Sequence, residues 1–336
     1  MGINPYSEYL AGDKQGIFIK AQTPNYAQTL YIIFIPFALV SNSIANLIWS
    51  LLNISMLIKC SLILRKIFSI ESIISLIILF SILITGYPTI YAVTNGQLSI
   101  FTLTCFLMGI SIKNKKYKFY QYIIFGMSYL KYSFAPCLST LSLLRHGFKG
   151  FIFTFIPVIT GVLLMLLRFK TISSVLGPIQ VSHLDMMSHG LGSGDLLSIL
   201  KVLFKGKENL IIFLSFVCVV LSMFLIWKSK FIKITSLLPL VSLASLMFVN
   251  HFVYDYVFYF VLLAYAFSKY STKIEKLSIA TSWAYIGYLS WIFRTLDYTF
   301  QDLKLIFISF VLNLINFIII YCSQKSNNLN INLGKG

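Results

Sequence analysis

Acidic residues are scarce in this chain. Ten Asp and Glu stand against 27 Lys and Arg in 336 residues, and charged residues of both signs make up only 11%. Soluble domains carry about 25%, so a soluble globular enzyme of this size could not cover its surface. With 58% hydrophobic residues, a disordered chain is excluded as well. The five cysteines (60, 105, 137, 218 and 322) are an odd number without Cys-x-x-Cys spacing and mostly lie inside apolar runs. They read as small buried hydrophobes, not as a disulfide scaffold. Nucleotide motifs are missing too. Gly190-Leu191-Gly192-Ser193-Gly194 lacks the Lys-Ser/Thr of a P-loop, and no dinucleotide fingerprint occurs, so no cofactor is expected. There is no internal repeat. The opening MGINPYSEYLAGDK is polar and does not read as the apolar core of a signal peptide.

What is present is apolar. Mean hydropathy is +0.84, and apolar runs fall at 28–40, 42–64, 69–86, 97–112, 119–144, 150–168, 209–227, 234–249, 251–268, 277–293 and 303–322. At roughly 20 residues per span, the expected fold is an all-α, polytopic transmembrane bundle of about nine to eleven apolar segments, forming one domain over residues 1–336. The run 28–40 would reach only about 20 Å as helix, so it reads as a half-span or a helix tucked between others.

The basic residues are clustered. Lys59, Arg65 and Lys66, then Lys113, Lys115, Lys116 and Lys118, then Arg145 and Lys149, then Lys228, Lys230 and Lys233, then Lys269, Lys273 and Lys276, with Lys325 and Lys335, are 17 of the 27. All can be assigned to one side, taken as cytoplasmic by the positive-inside rule. This distribution between apolar runs argues for a membrane and against nucleic acid as the partner. Segments 86–96, 169–208 and 294–302 then lie on the other side. The longest of them, 169–208, is expected to be an extracytoplasmic loop. It carries the amphipathic stretch DLLSILKVLFKG, capped by Asp195 and suited to a membrane surface. The run 119–144 has basic clusters at both ends and Leu130-Lys131-Tyr132-Ser133-Phe134-Ala135-Pro136 in its middle. Pro136 cannot continue a helix hydrogen-bond ladder, so a break at 131–136 with two half-helices is expected.

Several residues stand out chemically. Lys131 sits deep in an apolar run, where an ammonium costs about 2.5–3.5 kcal/mol on insertion scales. It reads as a phosphate ligand, or as half of a structural ion pair or a snorkelling side chain. In Asn250-His251-Phe252-Val253-Tyr254-Asp255-Tyr256, His251 and Asp255 are four apart and share a helix face. They read as a catalytic pair that orients His251 toward a phosphate or sugar hydroxyl, with Tyr254 as a binding residue beside it, or as an interfacial polar cluster with Tyr254 and Tyr256 as belt aromatics. Gly86-Tyr87-Pro88 to Asn95-Gly96-Gln97 reads as a short loop before a helix beginning near Gln97, whose N-terminus would offer N–H groups to an anion. Asn95 and Gln97 are the binding candidates there. His183, Asp185 and His189 lack a fourth ligand, and no metal is expected. Arg294 and Asp297, in the last outer loop, can pair with each other or bind phosphate.

Four stretches of this sequence resemble one family: Tyr26 to Pro36 followed by SNSIANLIWSLLN; Asn95-Gly96-Gln97 leading into an apolar helix and a basic loop; Leu130-Lys131; and His251 to Asp255. They resemble glycosyltransferase family 87, polyprenol-phosphate-mannose-dependent mannosyltransferases of the multi-spanning GT-C class. The likeness covers about residues 4–270. It departs at Tyr26-Ala27-Gln28, where the family has Tyr-Pro-Pro, and at the start. Family members carry a first helix and a loop with a catalytic Asp before an Asn-Pro-Tyr-like element, whereas Asn4-Pro5-Tyr6 already stands at the beginning here. Glu8 and Asp13 are the acids left in that region.

The resemblance implies transfer of a hexose, mannose in the family, from a polyprenyl-phosphate donor to a lipid or glycan acceptor at the extracytoplasmic face. Lys131, His251 and Arg294 would meet the phosphate, and an acid would serve as general base, a place left empty here or filled imperfectly by Glu8 or Asp13. The Ile, Lys, Asn and Phe content suggests an AT-rich bacterial genome, hence a multi-pass protein of a bacterial inner membrane. The rival expectations are a transporter or flippase, and a non-catalytic remnant that binds lipid-linked sugar. A polymerase or ligase of surface glycans fits less well, because its outer loop would carry arginines and 171–208 has none.

Overall fold

The structure, a computed structural model, describes residues 5–12, 28–112, 115–170, 175–178, 180–181, 194–249, 251–292 and 303–333. Among the described residues the chain is all helix, without a strand. Four helical stretches are long and apolar enough to cross a membrane: Asn42–Phe68, Ala135–Phe169, Glu208–Lys228 and Lys304–Ser326. A fifth is counted if two helices bent by 60°, Ile73–Thr85 and Tyr87–Thr94, form one broken span. Several of the remaining apolar runs fold as shorter helices: Ser99–Ser111, Ile234–Phe248 and Val253–Ala266 are each too short to span alone.

In chain order the helices are α1 (Pro5–Leu10), α2 (Thr29–Ile33), α3 (Ile35–Ala38), α4 (Asn42–Phe68), α5 (Ile73–Thr85), α6 (Tyr87–Thr94), α7 (Ser99–Ser111), α8 (Lys118–Met127), α9 (Ala135–Thr154), α10 (Ile156–Phe169), α11 (Leu196–Leu203), α12 (Glu208–Lys228), α13 (Ile234–Phe248), α14 (Tyr259–Ala266), α15 (Lys273–Ala284) and α16 (Leu303–Leu333). The run 28–40 is two short helices, α2 and α3, turned at Phe34 ahead of Pro36.

α13 is the core. Every residue from Ser236 to Phe248 is buried, as expected of a helix that is apolar all round. Its 15 residues rise only about 22 Å, so it ends inside the protein. The chain resumes at His251 and passes through a 3₁₀ segment, Val253–Phe258, before α14. A short core helix thus leaves a non-α stretch of backbone at depth, which is tolerated where protein surrounds it.

The expected break in 119–144 is present. α8 ends in a 3₁₀ turn at Ser128–Leu130, Lys131 is extended (φ −100°, ψ 99°), and α9 starts at Ala135 with Pro136 in its first turn. α8 and α9 fold back on each other as a hairpin. Tyr122 meets His146 at 5.2 Å near its base, and the Tyr129 hydroxyl meets Thr154 Oγ1 at 3.1 Å. Gly126 makes the close approach of α8 to the chain end of α9 possible, because a Cβ there would stand 1.9 Å from the Thr154 carbonyl oxygen. Gly147, at φ +67°, breaks α9 within the hairpin, and the residues after it, up to Thr154, still pack on α8.

The stretch 86–96 differs from the expected loop. It is largely helix, α6, since Pro88 is favoured in a first turn and Pro88, Thr89 and Ala92 are buried against the 3₁₀ segment 253–258. The amphipathic stretch after Asp195 also differs. α11 buries Leu197, Ser198 and Ile199 and packs on α12 and α16, so protein covers this face.

Candidate functional site

Three interruptions of apolar helices meet at one buried point. α7 contributes its first residue, Ser99. The tip of the α8–α9 hairpin contributes Lys131. The segment after α13 contributes His251 and Asp255. All four are buried, with His251 fully so.

Asp255 is the hub. Its Oδ1 forms an ion pair with Lys131 Nζ and accepts from the Ser99 hydroxyl. Its Oδ2 lies 3.0 Å from His251 Nδ1 and accepts from the Phe252 backbone N–H at 3.3 Å. A carboxylate has about four lone-pair sites, and these contacts occupy them. Lys131 donates also to Ser99 Oγ at 2.8 Å, and its ammonium lies 4.5 Å from the centre of the Tyr254 ring. A buried ammonium is tolerated here because a carboxylate, a hydroxyl and an aromatic face replace its water.

The imidazole is held as firmly. Phe134, from the hairpin tip, stacks between His251 (4.3 Å) and Phe258 (3.9 Å). The His251 backbone N–H donates to Asp195 Oδ2 at 3.4 Å. Asp195 caps α11, its Oδ1 accepting from Ser198 N at 2.7 Å and its Oδ2 from Ser198 Oγ at 2.8 Å. Burial pushes the Asp195 carboxyl above its ordinary pKa, against the pull of its hydrogen bonds from Ser198. With Nδ1 donating to Asp255, the remaining ring nitrogen of His251, Nε2, has no hydrogen-bond partner among the described residues although it is fully buried. A buried polar atom without a partner is uncommon and calls for an explanation.

The sequence candidates separate accordingly. Lys131, His251, Asp255 and Tyr254 are brought together. The association of Lys131 with His251, 120 residues apart, runs through Asp255, which contacts both. Tyr254 offers its ring face, and stacks on Tyr91 at 6.0 Å and Phe252 at 5.6 Å. Tyr256 is fully buried, with its hydroxyl 3.3 Å from Asn313 Nδ2, and is no belt residue. The helix expected near Gln97 starts at Ser99, and the Gln97 backbone N–H goes to the Ala92 carbonyl at 2.8 Å; the Gln97 side chain is buried. Asn95 is exposed and its amide donates to the Tyr91 carbonyl at 3.0 Å, closing α6. Glu8 lies on α1, half-buried, while the neighbouring Tyr6 packs on Tyr31 at 5.9 Å. Asp13, Arg294, Asp297, His183, Asp185 and His189 lie outside the described residues.

Two members were not picked out as site residues from sequence. Ser99 had a weak signal, a hydroxyl on the first turn of an apolar helix just after Asn-Gly-Gln. Asp195 was legible as a cap, but nothing in the spacing links it to His251, 56 residues away. Compared with known proteins, the chain matches no protein-family model, no curated protein and no solved structure.

Proposed function

We propose that this chain is a membrane glycosyltransferase that moves a hexose from a polyprenyl-phosphate donor to a lipid or glycan acceptor at the extracytoplasmic face of a bacterial inner membrane. One observation carries the proposal. Three of the stretches that resemble glycosyltransferase family 87, around Asn95-Gly96-Gln97, Lys131 and His251–Asp255, are scattered over 160 residues, yet their neighbourhoods converge on Asp255 through Ser99, Lys131 and His251.

The chemistry follows from that arrangement. A lipid donor cannot leave the bilayer, so its phosphate must be met near the interface by a cation held in the protein. Lys131 supplies it. His251 supplies a second polar atom, with Nε2 turned away from the carboxylate that fixes Nδ1. In the reaction the acceptor hydroxyl oxygen bonds to the anomeric carbon, the bond from that carbon to the phosphate oxygen breaks, and polyprenyl phosphate leaves with the bond's electrons. The acceptor's proton passes to a base. Charge growing on the leaving phosphate is met by Lys131 and His251. Asp255 is the positioning residue that sets both.

The test is transfer from a polyprenyl-phosphate hexose to a mixed lipid and glycan acceptor pool by purified protein in liposomes, followed by mass spectrometry. Wild type should form product. Lys131→Arg should keep the charge and lose about tenfold, because the fork of a guanidinium does not fit a site shaped for a point charge. His251→Ala should lose about a hundredfold or more, in the range of a positioned acid–base or phosphate-binding group. Movement of the intact donor across the bilayer without transfer would replace this reading by a flippase, and saturable donor binding without either event by a sugar-lipid-binding protein.

A further inference from the structure

Charge is distributed unevenly along the sequence. Between Glu71 and Asp185 there is no Asp or Glu, against nine Lys and Arg. Four of these, Lys116, Lys118, Arg145 and Lys149, come together at the base of the α8–α9 hairpin, the end away from Lys131, and all four are exposed. The two helices are fixed side by side there. Phe119 meets Phe153 at 5.9 Å, Tyr122 stacks on the same ring at 6.2 Å, and both Lys118 and Arg145 act electrostatically on His146, which lies against Tyr122. Rings stand among the charges. Tyr120 and Phe148 are 63% and 71% exposed, and Tyr117 and Phe119 are exposed beside them. The helix is broken at Gly147 (φ +67°), and Phe148 follows it, exposed between Arg145 and Lys149.

We infer that this hairpin base is a binding surface for anionic phospholipid headgroups. An acidic soluble partner would neutralise the lysines but leave four large rings to be covered by polar surface. Inorganic phosphate would leave the rings in water. A bilayer interface satisfies both: acyl chains take the rings, the ammonium and guanidinium groups reach the phosphodiesters, and each basic residue near such a surface adds about 1 kcal/mol, a roughly fivefold preference for an anionic lipid. The acid-free sequence is what such a surface requires, since one carboxylate among the four bases would cancel part of it.

The full chain in nanodiscs tests this. Phosphatidylglycerol retention relative to phosphatidylcholine is read by native mass spectrometry and by electron paramagnetic resonance of spin-labelled lipids. The wild type should prefer phosphatidylglycerol by about a hundredfold or more at low salt, and the preference should shrink as ionic strength rises. The variant carrying Lys116→Gln, Lys118→Gln, Arg145→Gln and Lys149→Gln should fall to about twofold or less. Lys118→Gln and Arg145→Gln alone should each lower it severalfold, which keeps the test decisive if the fourfold variant misfolds. Phe148→Ser should weaken retention of both lipids alike. The inference is overturned if the single and fourfold variants keep the wild-type preference. It is equally overturned if inorganic phosphate displaces phosphatidylglycerol more effectively than sodium chloride at equal ionic strength, which would mark a free-anion site. Sugar transfer is not read in this experiment, so its outcome is independent of the glycosyltransferase proposal.

Discussion

Asp255 and Glu275 are both buried carboxylates placed three residues after the start of a helical turn, and both accept the backbone N–H of the residue that opens it, Phe252 in one case and Thr272 in the other. From there they diverge. Glu275 completes a capping box with Thr272, whose hydroxyl accepts from Glu275 N at 3.3 Å, and takes a phenol from Tyr265 at 3.2 Å. These partners are neutral and lie within ten residues. Asp255 adds Lys131 and Ser99, which are 124 and 156 residues away, together with His251. The same local device, an acid reaching back to a helix start, closes on itself in one place and in the other is extended into a tertiary centre with an ammonium and an imidazole. A cap is worth about 1 kcal/mol, whereas a buried ion pair leaves an uncompensated charge when one partner goes. The difference therefore predicts very different responses to substitution.

The largest effect is expected from Lys131→Ala. Asp255 would then be buried beside a hydroxyl and an imidazole but no cation, and the loss should be about 3–5 kcal/mol. Equilibrium unfolding in mixed micelles measures it. Combining Lys131→Met with Asp255→Leu should recover at least half of the loss, because the charges disappear together, while transfer stays abolished. A double variant no more stable than Lys131→Ala would mean that the centre is not organised around the ion pair.

Ser99→Ala comes next. The hydroxyl donates to Asp255 and accepts from Lys131, and hydrogen bonds to charged groups contribute about 1.5–3 kcal/mol. Since Lys131 and Asp255 keep each other, the expected loss is near the lower end. Ser99→Thr retains the hydroxyl and should restore most of it. If Ser99→Ala were as costly as Lys131→Ala, the hydroxyl, not the pair, would be the element that holds the hairpin tip.

These outcomes also bear on what the amino-acid sequence makes legible. The apolar runs, the break before Pro136 and the i, i+4 relation of His251 and Asp255 could all be read, because each depends on residues close in sequence. The number of full spans could not. Apolar runs such as 97–112, 234–249 and 251–268 look like span candidates by composition, but helix length is settled by where neighbours end, and α7, α13 and the 253–266 segment stop at the polar centre instead of continuing. The partner of Lys131 was equally hidden. An apolar run shows that a lone lysine needs something; only the packing of α6, α7 and the hairpin tip on residues 253–258 makes that something Asp255, the ion pair that stood as the alternative to a phosphate ligand. The same packing turned the supposed loop at 86–96 into α6.

Thr272→Ala should have the smallest effect, and it is the control that gives the others meaning. Thr272 precedes α15 as its N-cap and is joined to it through Glu275 N, so removing the hydroxyl leaves one N–H of the first turn without its acceptor. The expected loss is about 1 kcal/mol, with Thr272→Ser close to wild type because the oxygen is retained. Glu275 keeps Tyr265 and the Thr272 backbone N–H in either variant, so no charge is stranded. Nothing in this cap touches Ser99, Lys131 or His251, and sugar transfer per folded molecule should be unchanged. Hydrogen exchange should therefore speed up at the first turn of α15 and leave the hairpin tip protected. A loss above about 3 kcal/mol, which is the scale of a broken buried pair, would mean that Glu275 belongs to a second long-range centre, and the contrast between the two carboxylates would fail.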